Sequence, residues 1–97
     1  MKRERLPTTP GEILKKGYLT PLNLTQRQVA DNLGVDIKVI NRIANGRTSV
    51  TPEMAIKLGA AFDTTPEFWL NAQIAVDLYH AQKTSRKLPK CMLGKAS

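Results

Sequence analysis

The sequence predicts an all-α fold made of five short helices. Five motifs that typically start helices follow one another between Thr9 and Thr65. The apolar residues between these motifs recur at helical spacing, and no segment alternates as a convincing strand would. At 97 residues the chain is long enough for one small domain with a modest core.

The first helix is predicted to begin in the stretch TPGE. Thr9 would be the N-cap, Pro10 would take the first helical position, and Glu12 would complete a capping box. Apolar residues follow at Ile13 and Leu14, so one side of this helix should pack into the core.

A glycine-bearing turn is predicted between the second and third helices. The second helix begins with a capping box at TQRQ (Thr25–Gln28) and ends at Leu33. Only two residues then precede Asp36, the predicted cap of the third helix. The first of them is Gly34, and glycine can adopt the left-handed conformation that reverses the chain. Two short helices joined in this way predict a helix-turn-helix.

The fourth and fifth helices are predicted to begin at TPEM (Thr51–Met54) and TPEF (Thr65–Phe68). In both motifs threonine is the N-cap, proline takes the first helical position, and glutamate lies near the positive end of the helix dipole. The fifth helix then carries Trp69, Val76 and Tyr79 at helical spacing. Residues of this kind at this spacing favour core or interface packing over base stacking.

The positive charge of the chain is concentrated near its two ends. The formal net charge is +7, yet the seven basic residues between positions 6 and 82 are balanced by seven acidic ones. Residues 83–97 contain five basic residues and no acidic one. We therefore predict a flexible N-terminal arm over 1–8, a folded domain over 9–82 and a flexible basic tail over 83–97. Because charged ends are most often simply solvated, the net charge alone is weak evidence for a nucleic-acid partner.

Several classes of protein are disfavoured by what the sequence lacks. No apolar run approaches the length of a membrane span, and the charged start is not followed by the apolar stretch of a secretory signal. We therefore expect a cytoplasmic protein without a membrane partner. Cys91 is the single cysteine and His80 the single histidine, so neither a disulfide nor a metal site is expected. No constellation of catalytic groups appears, and we expect neither an enzyme nor a cofactor.

The third helix is the most informative part of the sequence. On a helical wheel Ile37, Ile43 and Ala44 share one side with Ile40. The opposite side carries Lys38, Asn41, Arg42 and Asn45. An ordinary solvated face remains a possible interpretation, but such faces usually include glutamate, and this one contains no acid.

The chemistry of this polar face is suited to reading bases in DNA. Arginine and lysine donate to O6 and N7 of guanine, whereas asparagine can pair with N6 and N7 of adenine. Ile37 lies at the edge of the first turn, where it can touch a thymine methyl group. We therefore predict base contacts from Ile37, Lys38, Asn41 and Arg42.

Phosphate contacts are predicted on either side of the third helix. Gln26 and Arg27 open the second helix, whose N-terminal amides suit a phosphate oxygen. Arg47 and Thr48 lie on the glycine-containing loop that follows the third helix. Asp36 carries the wrong charge for a polyanion, and we expect its carboxylate to be occupied as the helix cap.

Five segments of the chain match a known family: PGEIL, LTQRQVADNLGV, NRIANG, TPEMAIKLGAAF and TTPEFWLNAQIAVDLY. With them the chain resembles the Xre/Cro-type helix-turn-helix proteins. More narrowly, it is similar to the HigA/VapI antitoxins of type II toxin–antitoxin modules. The match runs from about Pro10 to Tyr79, and the last segment is the one that narrows the resemblance to the antitoxins.

The resemblance implies a five-helix, lambda-repressor-like domain that forms a homodimer and binds palindromic operator DNA in its own promoter. It also implies a HigB-type toxin as partner, a ribosome-dependent mRNA endonuclease that the protein neutralises. The dimer contact would fall on the fifth helix, at Trp69, Gln73, Val76 and Tyr79. Two alternatives stay open, namely a stand-alone repressor of the same fold without a toxin, and a protein-interaction module with basic ends.

Overall fold

The five predicted helices are all present, in the predicted order. The computed structural model describes residues 6–84 and 87–94, so parts of the predicted arm and tail, at 1–5, 85, 86 and 95–97, lie outside the described residues. The first helix consists of α1 (Pro10–Glu12) and the π-helix π1 (Ile13–Leu19) that continues it; α2 (Gln26–Leu33), α3 (Ile37–Ala44), α4 (Pro52–Phe62) and α5 (Pro66–Thr84) follow. No strand occurs among the described residues, which confirms the all-α fold.

The N-caps that the sequence predicts form at each helix start. In every case a side-chain oxygen accepts a hydrogen bond from a backbone N–H group of the first turn, at 2.8–3.2 Å. The capping residues are Thr9, Thr25, Asp36, Thr51 and Thr65. The box at Thr25 is complete, because the Gln28 side chain also accepts from the Thr25 N–H. At Thr9 the carboxylate of Glu12 instead lies 3.8 Å from the ammonium of Lys16.

The first helix differs from the prediction in its type. From Ile13 to Leu19 it is a π-helix, in which hydrogen bonds span five residues, as between the Thr20 N–H and the Lys15 oxygen. This wider turn brings residues five apart to the same side of the helix. Leu14 and Leu19 are therefore both buried, which a regular α-helix would not achieve as well.

The core is built around Trp69, which is completely buried. Its ring lies 5.9 Å from that of Tyr18, 6.3 Å from that of Phe62 and 5.3 Å from that of Phe68. The indole N–H donates to the Thr64 hydroxyl at 2.8 Å, so the polar atom of this large side chain is satisfied. Trp69 therefore joins the first helix, α4 and α5 from the inside.

The ends of the described chain contribute little to this core. Helix α5 continues to Thr84, two residues past the predicted domain end at 82, and residues 87–94 contain neither helix nor strand. The division into arm, domain and tail stays a prediction. No helix among the described residues is long and apolar enough to cross a membrane.

Gly11 marks a very close contact between α1 and the end of α3. A Cβ atom at this position would lie 2.3 Å from the carbonyl oxygen of Ile43 and 2.6 Å from that of Ala44. Both obstacles are backbone atoms, which cannot rotate away as a flexible side chain does. Glycine at position 11 is therefore required for α1 to rest on α3.

We predict that Gly11→Ala lowers the free energy of unfolding by about 1–3 kcal/mol, the usual cost of overpacking a tight contact. Gly17→Ala is the control, because a Cβ there would meet only the Ile13 side chain at 3.9 Å. Chemical denaturation of both variants measures the difference. Equal stability of the two variants would show that α1 does not rest on α3 as described.

Candidate nucleic-acid interface

The turn between α2 and α3 is tight and depends on Gly34. This residue has a φ of 73°, in the left-handed region that favours glycine, and its N–H donates to the carbonyl oxygens at the end of α2. The Val35 N–H donates to the Ala30 oxygen at 3.0 Å, and the Asp36 carboxylate then caps α3. Ala30 is buried where the two helices meet, so α2 and α3 pack closely.

Helix α3 has one buried side and one exposed side. Ile40, Ile43 and Ala44 are buried in the core. Ile37 and Val39 are partly buried and pack against it, so Ile37 keeps only part of its surface for a ligand. The exposed side carries the four polar residues that the wheel grouped together, Lys38, Asn41, Arg42 and Asn45.

A chain of amide hydrogen bonds crosses from α2 to α3 on the exposed side. The Asn41 amide donates through Nδ2 to Oε1 of Gln26 at 3.2 Å. The Asn45 amide donates through Nδ2 to Oδ1 of Asn41 at 3.4 Å. The structure therefore brings Gln26, predicted to contact phosphate, into direct contact with Asn41, predicted to contact a base.

The cations around α3 have no acidic neighbours that would neutralise them. Within residues 6–84 and 87–94 the one ion pair joins Lys16 and Glu12. The exposed side chains of Arg27, Lys38, Arg42 and Arg47 are not engaged by a carboxylate in this part of the chain. This side of the domain is therefore locally positive, although the domain as a whole is formally neutral.

The loop that carries Arg47 and Thr48 is held in place from α5. The Val50 N–H donates to Oε1 of Gln73 at 3.0 Å, and Nε2 of Gln73 donates to the Asp77 carboxylate at 3.0 Å. At the other end of the loop, the Arg47 N–H donates to the Arg42 oxygen at 2.8 Å, which closes the chain just after α3. The loop is therefore fixed relative to both α3 and α5.

A helix-turn-helix family model, HTH_3, matches residues 15–69, more than half of the chain. The chain belongs to this helix-turn-helix family.

Proteins similar to this helix-turn-helix chain include regulators and antitoxins. The uncharacterized transcriptional regulator YbaQ of Escherichia coli K12 is 44% identical over 82 residues, which cover 84% of this chain and 73% of YbaQ. Antitoxin HigA-1 of Vibrio cholerae is 44% identical over 78 residues, 80% of this chain and 73% of HigA-1. The antitoxin HigA of Pseudomonas aeruginosa, solved with the higBA promoter, is 31% identical with a TM-score of 0.78, covering 88% of this chain and 99% of that one.

These comparisons confirm the resemblance that the sequence carries. The chain is a DNA-binding helix-turn-helix protein with antitoxins among its relatives. The family is one of regulators and antitoxins rather than of enzymes, which agrees with the prediction that the chain is not an enzyme.

The predicted dimer residues on α5 need a correction. Trp69 is completely buried in its own protomer and Val76 nearly so, and neither therefore offers a surface to a second copy. Gln73 is bonded to the loop at Val50, as described above. Tyr79 is half-buried, and the Lys83 ammonium lies 5.3 Å from the centre of its ring. The predicted residues thus mostly support α5 from within the protomer.

One cation near the end of α3 was not identified from the sequence. Lys15, in π1, lines a shallow depression together with Asn45 and Gly46, which follow α3. Its place there depends on the contact of α1 with α3, and nothing in the local sequence around Lys15 indicates that contact. Lys15 adds a positive group to the edge of the exposed side of α3.

We predict that Gln73→Ala loosens the loop after α3, because the buried Val50 N–H loses its acceptor. An unsatisfied buried N–H group costs about 1–3 kcal/mol, and amide hydrogen exchange at Val50 should accelerate accordingly. Gln82→Ala, an exposed position on the same helix, is the control. Unchanged exchange at Val50 in Gln73→Ala would mean that this hydrogen bond does not hold the loop.

Proposed function

We propose that the protein is the antitoxin of a type II toxin–antitoxin module and represses its own operon as a homodimer on palindromic operator DNA. The observation that carries the DNA-binding part is the exposed side of α3, which holds only amide and cationic side chains and no acid. A surface of this kind is complementary both to phosphates and to base edges. A repressor of this type acts in the cytoplasm, where its operator lies.

Base reading in this proposal belongs to α3. Arg42 and Lys38 donate to guanine, Asn41 pairs with adenine, and the exposed part of Ile37 touches a thymine methyl group. Arg27, the N-terminal amides of α2, and Arg47 and Thr48 on the fixed loop bind phosphates on either side. The relative from Pseudomonas aeruginosa that was solved with a promoter supports this assignment.

The homodimer is supported by an apolar strip on the outer side of α5. Ile74 is 52% exposed and Leu78, one turn later, is 53% exposed, whereas Trp69 and Val76 on the inner side are buried. A helix that is apolar on both sides is expected to be covered on both. A second copy of α5, related by a two-fold axis, covers this strip with the same residues. The two copies of α3 would then enter successive major grooves about 34 Å apart.

The toxin-neutralising part of the proposal is supported by similarity to antitoxin HigA-1 of Vibrio cholerae. The partner would be a HigB-type toxin, an mRNA endonuclease that acts on the ribosome. A stand-alone repressor is the second candidate, favoured by the equal identity of the chain to the regulator YbaQ. A small basic reading frame directly upstream, whose product co-purifies with this protein, would decide for the antitoxin.

We predict that Arg42→Ala weakens binding to duplex DNA from upstream of the gene by about 1–3 kcal/mol and relaxes base preference at one position of each half-site. Fluorescence anisotropy with that duplex and with a scrambled duplex of equal length measures the effect. Lys57→Ala, a cation in the groove between α2 and α4, is the control and should bind as the unchanged protein does. An equal loss on both duplexes would contradict base reading by Arg42.

We predict that Leu78→Asp converts the dimer into a monomer, because it places a charge in the apolar strip of α5. Sedimentation equilibrium should give the 10.8 kDa mass of one chain for this variant and twice that mass for the unchanged protein. Gln82→Asp, one turn further on, is the control and should remain dimeric. A monomeric unchanged protein, or a dimeric Leu78→Asp variant, would rule out the proposed interface.

A further inference from the structure

The amide chain on the exposed side of the helix-turn-helix assigns a role to Gln26 that goes beyond phosphate contact. We propose that Gln26 is a positioning residue, which orients the Asn41 amide so that it reads adenine rather than another base. This inference rests on the proposed DNA-binding function and concerns how that function achieves its base preference.

The observation is the pair of hydrogen bonds on either side of the Asn41 amide. Its Nδ2 donates to Gln26 Oε1 at 3.2 Å, and its Oδ1 accepts from Asn45 Nδ2 at 3.4 Å. Gln26 is the first residue of α2 and Asn41 lies in the second turn of α3, so the bond spans the turn of the motif. It is a tertiary contact, made before any ligand is present.

These two bonds fix which way the Asn41 amide points. If the amide were rotated by half a turn, its oxygen would face Gln26 Oε1 and its nitrogen would face Asn45 Nδ2. Two acceptors would then oppose each other on one side and two donors on the other. The observed orientation is therefore stable as long as Gln26 presents an acceptor.

The hydrogen-bonding groups that remain on Asn41 match adenine. A carboxamide has two N–H groups and two lone pairs on its oxygen. One of each is used by Gln26 and Asn45, which leaves one donor and one acceptor. Adenine offers N7 as acceptor and the N6 amino group as donor in the major groove, whereas guanine offers acceptors at both O6 and N7.

Gln26 also links this base contact to the DNA backbone. Its own Nε2 group is not used in the bond to Asn41 and is available for a phosphate oxygen at the start of α2. One side chain can therefore bind the backbone through nitrogen and orient the base-reading amide through oxygen. The position of the phosphate and the position of the base are then read together.

The experiment compares Gln26→Glu with Gln26→Met by selection from a library of duplexes with randomised sequence. Glutamate keeps the oxygen that accepts from Asn41 but adds a negative charge near phosphate. Gln26→Glu should thus bind every duplex more weakly while still selecting adenine at the same position. Methionine has no such acceptor, and Gln26→Met should lose about tenfold in adenine preference at that position and keep its preferences elsewhere.

Two further variants separate positioning from a merely structural effect. Asn41→Ala should lose the same adenine preference, and adding Gln26→Met to it should change that position no further. Nuclear magnetic resonance of the free protein should show the Asn41 side-chain amide shifted in Gln26→Met and little changed in Gln26→Glu. Unfolding measurements should find the Gln26 variants close to the unchanged protein in stability, since the bond lies at the surface.

The possible failures can be told apart. If Gln26→Met selects adenine as strongly as the unchanged protein, the positioning role is overturned and base reading by α3 stands. The same conclusion follows if the glutamate and methionine variants lose adenine preference alike. If the unchanged protein selects no sequence from the library, the proposed DNA-binding function itself is overturned.

Discussion

Burial of Ile40 and Ile43 determines which side of α3 faces outwards, and the exposed chemistry of the domain depends on it. Each of these side chains is almost completely removed from water, which stabilises the fold by about 1.5–3 kcal/mol apiece. Asn41 and Arg42 lie between them in the chain, and the helical period leaves these two residues no orientation but outwards. A rotation of α3 that buried the arginine would expose both isoleucines and place an unpaired charge in the core. The hydrophobic effect thus orients the helix, and the polar groups follow.

The position of α3 along its own axis is set by backbone contacts rather than by side chains. Gly11 rests on the carbonyl groups at the end of α3, and the Asp36 cap fixes its beginning. Gln73 then ties the following loop to α5. Because these contacts come from three separate parts of the chain, α3 cannot shift without disturbing the packing of the whole domain. This rigidity matters for base contacts, whose energy depends on a precise donor and acceptor geometry.

The parts of the fold that could be predicted from the sequence are those that depend on neighbouring residues. A threonine cap needs only the amide three residues later, and the turn at Gly34 needs only a glycine after a helix end, so both were predicted correctly. The π-helix was missed because it depends on burying Leu14 and Leu19 against distant helices. The bond between Gln26 and Asn41 was missed for the same reason, since it joins residues that meet only after the turn has formed. On α5 the sequence shows apolar residues on two sides, and no local pattern tells which side faces the core.

In the proposed dimer, neighbouring residues of α5 serve three different surfaces. Trp69 and Val76 pack into the core, Gln73 holds the loop after α3, and Ile74 and Leu78 are exposed for a second copy. Since a helix of this length is stiff, pairing two copies of α5 also fixes the distance between the two loops and the two α3 helices. A palindromic operator demands such a fixed distance, because half-sites lie one helical turn of DNA apart. Spacing of the half-sites would therefore be read by the apolar strip of α5, and base identity by the polar side of α3.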